Sequence, residues 1–156
     1  MTSASVLFVC LGNICRSPLA EAALRKVAKD EGLEIEIDSA GTGNWHSGEP
    51  PDSRAVATAA RHGVDITTYR ARQVREADFR RFTLILAADH QNLADLSALQ
   101  PDGATAQLAL LLDMVKGREG ESLIDPYYGD LMGFEATWQD ALAAARAIVE
   151  RLKPAA

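Results

Sequence analysis

Short continuous apolar runs alternate along this chain with longer stretches in which apolar residues recur every three or four positions. The first run is Val6-Leu7-Phe8-Val9, within Ser5 to Cys10. It is unbroken, β-branched and aromatic, the pattern of a strand buried on both faces. A turn-like stretch, Leu11 to Ser17, leads into a helix signal: Ser17 as cap, Pro18 at the first helical position and Glu21 in the first turn. Leu19, Ala22, Ala23, Val27 and Ala28 supply its apolar stripe, and Gly32 is its stop. Glu34 to Ser39 alternates polar and apolar and is expected to be a second strand.

Residues 40 to 52 hold Gly41, Gly43, Gly48, Pro50 and Pro51, so a long loop is expected. Asp52 or Ser53 can cap a helix running to about His62, ended by Gly63. A short helix is expected over Glu76 to Arg81, a third buried strand over Thr83 to Ala88, and a helix near 90 to 100. Residues 106 to 115 are apolar and fit either a strand or a helix. Asp125-Pro126-Tyr127-Tyr128-Gly129 is a loop, and a last helix is expected from about Phe134 to Leu152. Strands alternating with helices predict an α/β fold around a parallel sheet, with sites beyond the carboxyl ends of strands. The loop after the first strand, which begins at Cys10, stands in that place.

Composition narrows the function classes. With 47% hydrophobic and 24% charged residues, the 156-residue chain suits one soluble domain, expected to span 1–156. A net charge of −6 argues against general nucleic-acid binding. No apolar run approaches the roughly 18 residues of a membrane span. Met1-Thr2-Ser3-Ala4-Ser5 lacks a basic stretch ahead of an apolar core, so no secretory signal is expected. The two cysteines, Cys10 and Cys15, make no disulfide framework, which suggests a reducing, cytoplasmic setting. His46, His62 and His90 are widely spaced and suggest no metal site. No cofactor is expected.

Cys10-Leu11-Gly12-Asn13-Ile14-Cys15-Arg16-Ser17 is the segment that carries chemistry. Between a strand and a helix it can curl so that successive N–H groups point inward as an anion nest, reinforced by the helix N-terminus. Gly12 and Asn13 tolerate the left-handed backbone that such a curl requires. Arg16 offers a planar donor fork for two phosphate oxygens. Cys10, at the bottom of the cradle, would be held as a thiolate, with Ser17 in reach of its sulfur. The plainer account makes Cys10 a small buried hydrophobe and Arg16 a solvated first-turn residue. Asp125 likewise has two readings: a turn-forming Asp-Pro, or a carboxylic acid beside the site. Trp45, in the glycine-rich loop, has a plain reading as a loop anchor on the core.

Val6 to Glu21, VLFVCLGNICRSPLAE, closely resembles the signature of the low-molecular-weight protein tyrosine phosphatases. The resemblance continues in Asp38 to Gly43 (DSAGTG), Trp45-His46, Gly48-Glu49-Pro50, Arg72-Gln73 and Asp125 to Asp130 (DPYYGD). It implies a single-domain three-layer fold, a four-stranded parallel twisted sheet flanked by helices, with a phosphate-binding loop after the first strand. It also implies hydrolysis of protein phosphotyrosine to tyrosine and inorganic phosphate. In that reading Cys10 is the nucleophile, Arg16 and the loop Leu11 to Ser17 cradle phosphate, and Asp125 is the general acid. Trp45, Tyr127 and Tyr128 would line the pocket, and Asn13, Ser17 and Ser39 would support the loop. The family further implies a second cysteine (Cys15) able to pair with Cys10 on oxidation, beside the plainer reading of Cys15 as an inert buried thiol, and tyrosines that are phosphorylated in some members. A monomer or weak dimer is expected.

The chain departs from the family pattern at Tyr69, where relatives often carry histidine, and at Ser53, where proline is common. Three rival functions stand beside this one. An arsenate reductase of the same fold would need further cysteines; none lies beyond Cys15, and Ala87 and Ala88 end the third strand. A protein-arginine phosphatase of the same fold carries threonine where this chain has Ile14. A non-catalytic phosphate-binding module would need neither thiolate nor acid.

Overall fold

A computed structural model describes residues 4–153. The segment Met1-Thr2-Ser3, and with it the start of the N-terminal stretch read above, lies outside the described residues, as do the last three. The elements are β1 (Ser5–Cys10), α1 (Arg16–Asp30), β2 (Glu36–Gly41), α2 (Ser53–Arg61), α3 (Asp78–Arg81), β3 (Leu84–Ala87), α4 (His90–Leu99), β4 (Gln107–Leu110) and α5 (Leu131–Leu152). The four strands form one parallel sheet in the order β2-β1-β3-β4. Parallel neighbours need crossovers, and the helices between the strands provide them.

The continuous apolar run of β1 follows from its place beside β2 and β3, with both faces covered. Val6, Phe8 and Cys10 point to one face, into a core shared with Leu19, Ala23, Phe134, Trp138 and Ile148. Leu7 and Val9 point to the other, toward Phe79, Phe82 and Leu96. The period of two along β1 therefore builds a three-layer molecule, with α1 and α5 on one side and α4 on the other. Trp138, Phe8, Phe79, Phe82 and Phe134 are the largest fully buried side chains. Each such burial contributes about 1.5–3 kcal/mol relative to an exposed ring.

Several expected boundaries move. The second strand lies over Glu36–Gly41 rather than Glu34 to Ser39, because its register is set by β1 from Ser5↔Glu36 to Cys10↔Gly41. Ser17 is not the cap of α1. The helix starts at Arg16 with Cys15 in the cap position, and the Ser17 hydroxyl turns to Cys10 and Asn13 instead. Pro18 still sits in the first turn, where its missing N–H is no loss. Asp52 caps α2 through a bond from Arg54 N, and Gly63 follows it at φ 82°. The short helix shrinks to Asp78–Arg81, whose buried Asp78 carboxylate accepts from Arg75 N and Arg72. The undecided run 106 to 115 is a strand that passes into a 3-10 turn at Leu111–Met114. The last helix begins three residues early, capped by Asp130, which accepts from Met132 N and Gly133 N.

Candidate active site

The loop after β1 leaves the sheet at Cys10, whose side chain is buried at the carboxyl end of the strand. Asn13 takes φ 59°, the one positive φ outside glycine among the described residues. This left-handed residue turns the chain back on itself, so that Asn13 N–H donates to Cys10 Sγ at 3.3 Å. Among the described residues, the N–H groups of Gly12, Ile14 and Cys15 donate to no protein atom. The loop is gripped from outside by the backbone of other segments. Thr42 N donates to Cys10 O, Gly43 N to Leu11 O and Asp52 N to Ile14 O, each at 2.9 Å. Gly41 is needed for the first two contacts, since a Cβ there would stand 2.7 Å from Leu11 O.

Behind the loop runs a directed chain of hydrogen bonds. Arg72 N donates to Asn13 Oδ1 at 3.0 Å, which fixes the Asn13 amide so that Nδ2 donates to Ser17 Oγ (2.8 Å) and Ser39 Oγ (3.0 Å). Ser17 thereby keeps its own proton, for which Cys10 Sγ at 3.0 Å is the nearer partner and Ala40 O at 3.5 Å the farther. Ser39 Oγ donates to Glu21 Oε1 at 2.6 Å, while Arg25 Nε donates to Glu21 Oε2 at 2.9 Å. Burial nonetheless pushes the Glu21 carboxyl above its ordinary range. Tyr69 stands beside this cluster, half-buried against Glu21 and Arg25, and burial pushes its phenol up to about 12. The tyrosine therefore stays protonated where a histidine could titrate.

Arg16 is almost wholly buried. Its NH1 donates to Asp89 Oδ2 at 2.8 Å and to Leu123 O at 3.1 Å. Its NH2 faces Asp125 Oδ2 at 3.7 Å. Asp89 follows β3 and caps α4 through a bond from Asn92 N, so one carboxylate both starts a helix and aims the guanidinium. Leu123, whose N–H donates to Ala88 O at 2.7 Å, brings the chain back across the sheet end and delivers Asp125 two residues later. Asp125 Oδ1 accepts from Tyr127 N at 3.1 Å. The two readings of Asp125 thus coexist: it forms the turn, and its half-exposed carboxylate also faces the loop.

Cys10, Gly12, Ile14, Cys15 and Arg16 form the floor of a cavity of about 300 Å³. Leu11, Trp45, His46, Asp125, Tyr127 and Tyr128 form its sides. Trp45 is 69% exposed, so it is a wall and not an anchor on the core; it packs across Gly43, where a Cβ would collide with its ring. Tyr127 and Tyr128 meet edge-on at 5.0 Å, with Tyr128 projecting almost entirely into solvent. Cys15 carries an unpaired, buried thiol, as does Cys10. Burial, helped by Asp52 and Cys10, pushes the Cys15 thiol up, which keeps it protonated.

The structure brings every residue expected at the site to this cavity or directly behind it. Three contributors were not singled out from the sequence. Asp89 had a readable signal, an Asp after a buried strand and before a helix. Glu21 looked like a first-turn acid but is buried against Ser39. His46, paired with Glu49 at 2.8 Å, lies against Gly12.

Comparison with known proteins agrees with this geometry. The family model described as "Low molecular weight phosphotyrosine protein phosphatase" matches residues 5–155. The protein of that name from Sus scrofa is 40% identical over 153 residues, covering 96% of each chain. The crystal structure of YfkJ from Bacillus subtilis superposes with a TM-score of 0.89 at 38% identity, covering 97% of this chain and 96% of that one. The Drosophila arginine phosphatase DARP also superposes with a TM-score of 0.89, at 32% identity, covering 97% and 99%. The chain belongs to the low molecular weight phosphotyrosine protein phosphatase family.

Proposed function

We propose that this protein hydrolyses phosphotyrosine in proteins through a phosphocysteine on Cys10, with Asp125 as general acid and then general base. One observation carries this reading: Cys10, Arg16 and Asp125 share one cavity, the thiol on its floor and the carboxylate on its side. Cys10 Sγ lies 3.0 Å from Ser17 Oγ and accepts from Asn13 N at 3.3 Å, contacts that fix the sulfur at the cavity floor. The thiolate attacks phosphorus, and the bond to the tyrosine oxygen breaks as that oxygen takes the Asp125 proton. Water then attacks the phosphocysteine and gives a proton to Asp125. The P–S bond breaks, the thiolate is restored and phosphate departs. Arg16 and the free N–H groups of Leu11 to Ser17 hold the equatorial oxygens in both steps.

The walls support an aromatic ester. Trp45 on one side and Tyr127 with Tyr128 on the other can hold a phenyl ring. Phosphoserine is too short to bring its phosphorus from that rim to Cys10. Ile14 on the floor is apolar and favours the aryl group over a guanidinium. The thiolate supplies the nucleophile, while Arg16 and the backbone supply the charge, so the chemistry calls for neither metal nor cofactor. A nucleophilic thiol close to a second free thiol suits a reducing compartment, so we place the enzyme in the cytoplasm, with 1–156 as one domain. No helix among the described residues is long and apolar enough to cross a membrane.

The test is turnover of matched phosphotyrosine, phosphoserine and phosphoarginine peptides. Phosphotyrosine should be hydrolysed and phosphoserine should not. A preference for phosphoarginine would keep the cradle and overturn the substrate class.

A further inference from the structure

The segment from Asp125 to Gly129 takes few hydrogen bonds from outside itself, although Pro126 is buried and Asp125 Oδ2 lies 3.7 Å from Arg16 NH2. It closes its own turn, with Gly129 N donating to Pro126 O at 2.8 Å and Tyr127 N donating to Asp125 Oδ1 at 3.1 Å. Among the described residues, one side chain from elsewhere in the chain donates a hydrogen bond to it: Arg54 NH1, to Gly129 O at 3.0 Å. The same guanidinium lies 5.6 Å from the centre of the Tyr127 ring and 4.7 Å from that of Phe134 at the start of α5. Its other edge is occupied by Asp52, with Nε to Oδ1 at 3.0 Å and NH2 to Oδ2 at 2.9 Å. That two-point pairing fixes the plane and direction of the fork. Asp52 is itself bonded to the cradle, donating its N–H to Ile14 O at 2.9 Å. An unbroken path therefore runs from the cradle backbone through Asp52 and Arg54 to the loop that carries the carboxylate, and it crosses 75 residues of sequence in one bond.

We propose that Arg54 is a positioning residue that tethers the Asp125 loop to the phosphate cradle, setting the distance over which the proton travels to the leaving oxygen. This rests on the reading of Asp125 as the general acid. Pro126 makes the tether effective at a distance, since it stiffens the link between Gly129 and Asp125. The tether also holds the Tyr127 ring in the pocket wall, so Arg54 acts on substrate binding and on proton delivery together.

The experiment exploits the fact that an acid matters only when the leaving group needs a proton. kcat/KM, which reports formation of the phosphocysteine, is measured for phenyl phosphate and for 4-nitrophenyl phosphate. The first leaves as a strongly basic phenolate; the second leaves without help. Wild type is compared with Arg54→Ala, Arg54→Lys and Asp125→Asn, with thermal melting and competitive inhibition by inorganic phosphate as checks on folding and on the cradle. A well-placed general acid contributes about 10²–10⁴-fold, and Arg54→Ala should lose about tenfold to a hundredfold of that on phenyl phosphate. On 4-nitrophenyl phosphate the loss should be several times smaller. Inhibition by phosphate should change little. Arg54→Lys keeps a cation near Tyr127 but cannot grip Asp52 at two points and Gly129 together, so its leaving-group dependence should stay steep even where KM recovers. Equal losses on both esters, or none, beside a graded loss in Asp125→Asn would overturn the tether alone. An ungraded loss in Asp125→Asn would overturn the acid assignment beneath it, and the tether with it.

Discussion

The two loops that face each other across the cavity are held by different means. The cradle, Cys10 to Ser17, is gripped by backbone donors from residues 42, 43 and 52 and braced from behind through Asn13. Cys10 and Arg16 on it are almost wholly buried. The acid segment, Asp125 to Asp130, stands in solvent apart from the buried Pro126, and is shaped by its own turn, by Arg54 and by the ion pair of Asp125 with Arg16. The difference matches the two jobs. Charge on the equatorial oxygens must be met by donors fixed in advance, because reorienting them during reaction would forfeit their advantage. A proton donor has to approach the leaving oxygen and later make room for water, which a tightly packed residue cannot do.

This contrast can be broken at four places, in falling order of effect. Cys10→Ser removes the nucleophile while leaving the cradle's grip intact. Turnover of phosphotyrosine peptide should fall by about five orders of magnitude or more, while calorimetry still detects phosphate binding. Asp125→Ala touches the loosely held side, and kcat/KM for the same peptide should drop about a hundredfold to a thousandfold with the melting temperature almost unchanged. Asp89→Asn keeps a good helix cap but takes the charge from beside Arg16. Misaiming the guanidinium should lower kcat/KM by up to about a hundredfold. Urea unfolding should show a loss of about 1.5–3 kcal/mol for the weakened charged bond.

The smallest effect concerns Glu21. Its carboxyl is held above the usual range by burial, so the sign is opposite to that of an ion-paired surface acid. While the carboxyl is protonated in both states, below about pH 4, it makes no pH-dependent contribution. As pH rises past that point the unfolded chain ionises first, and stability is lost until the folded carboxyl has ionised too. Glu21→Gln removes this titration. The stability of wild type relative to the variant, from urea unfolding at a series of pH values, should decline from about pH 4 upward and then level off. A flat difference would mean that the bonds from Ser39 and Arg25 fully offset burial, so that the carboxyl ionises over the same pH range in both states; a rise would mean that they hold it charged.

Legibility in the sequence divides along the same line. β1 matches its expected ends residue for residue, since a strand buried on both faces shows as an unbroken apolar run. Gly32 and Gly63 were readable as stops because both need positive φ. The cradle residues were readable because they are contiguous. Asp89 and Arg54 were not singled out, because their meaning lies in partners 73 and 75 positions away. β2 runs two residues beyond its alternating part, because Ala40 and Gly41 are buried by the pairing with β1 and the approach of the loop. Ser17 read as a helix cap because sequence pattern ranks a serine by its local backbone. In the fold its hydroxyl has a stronger claim on it, the sulfur at 3.0 Å.

The grip of residues 42, 43 and 52 on the cradle has a consequence for anyone who would transplant it. Eight consecutive residues look like a portable cassette, ready to be spliced between a strand and a helix of another scaffold. Yet the curvature of the loop is imposed by Thr42, Gly43 and Asp52 from beyond a neighbouring strand and by Arg72 from further still. Gly41 leaves the room for that approach. A graft of Cys10 to Ser17 alone would carry the reactive atoms without the mould that shapes them; the smallest transferable unit is β1, the first turn of α1, and the chain from Asp38 through Arg72.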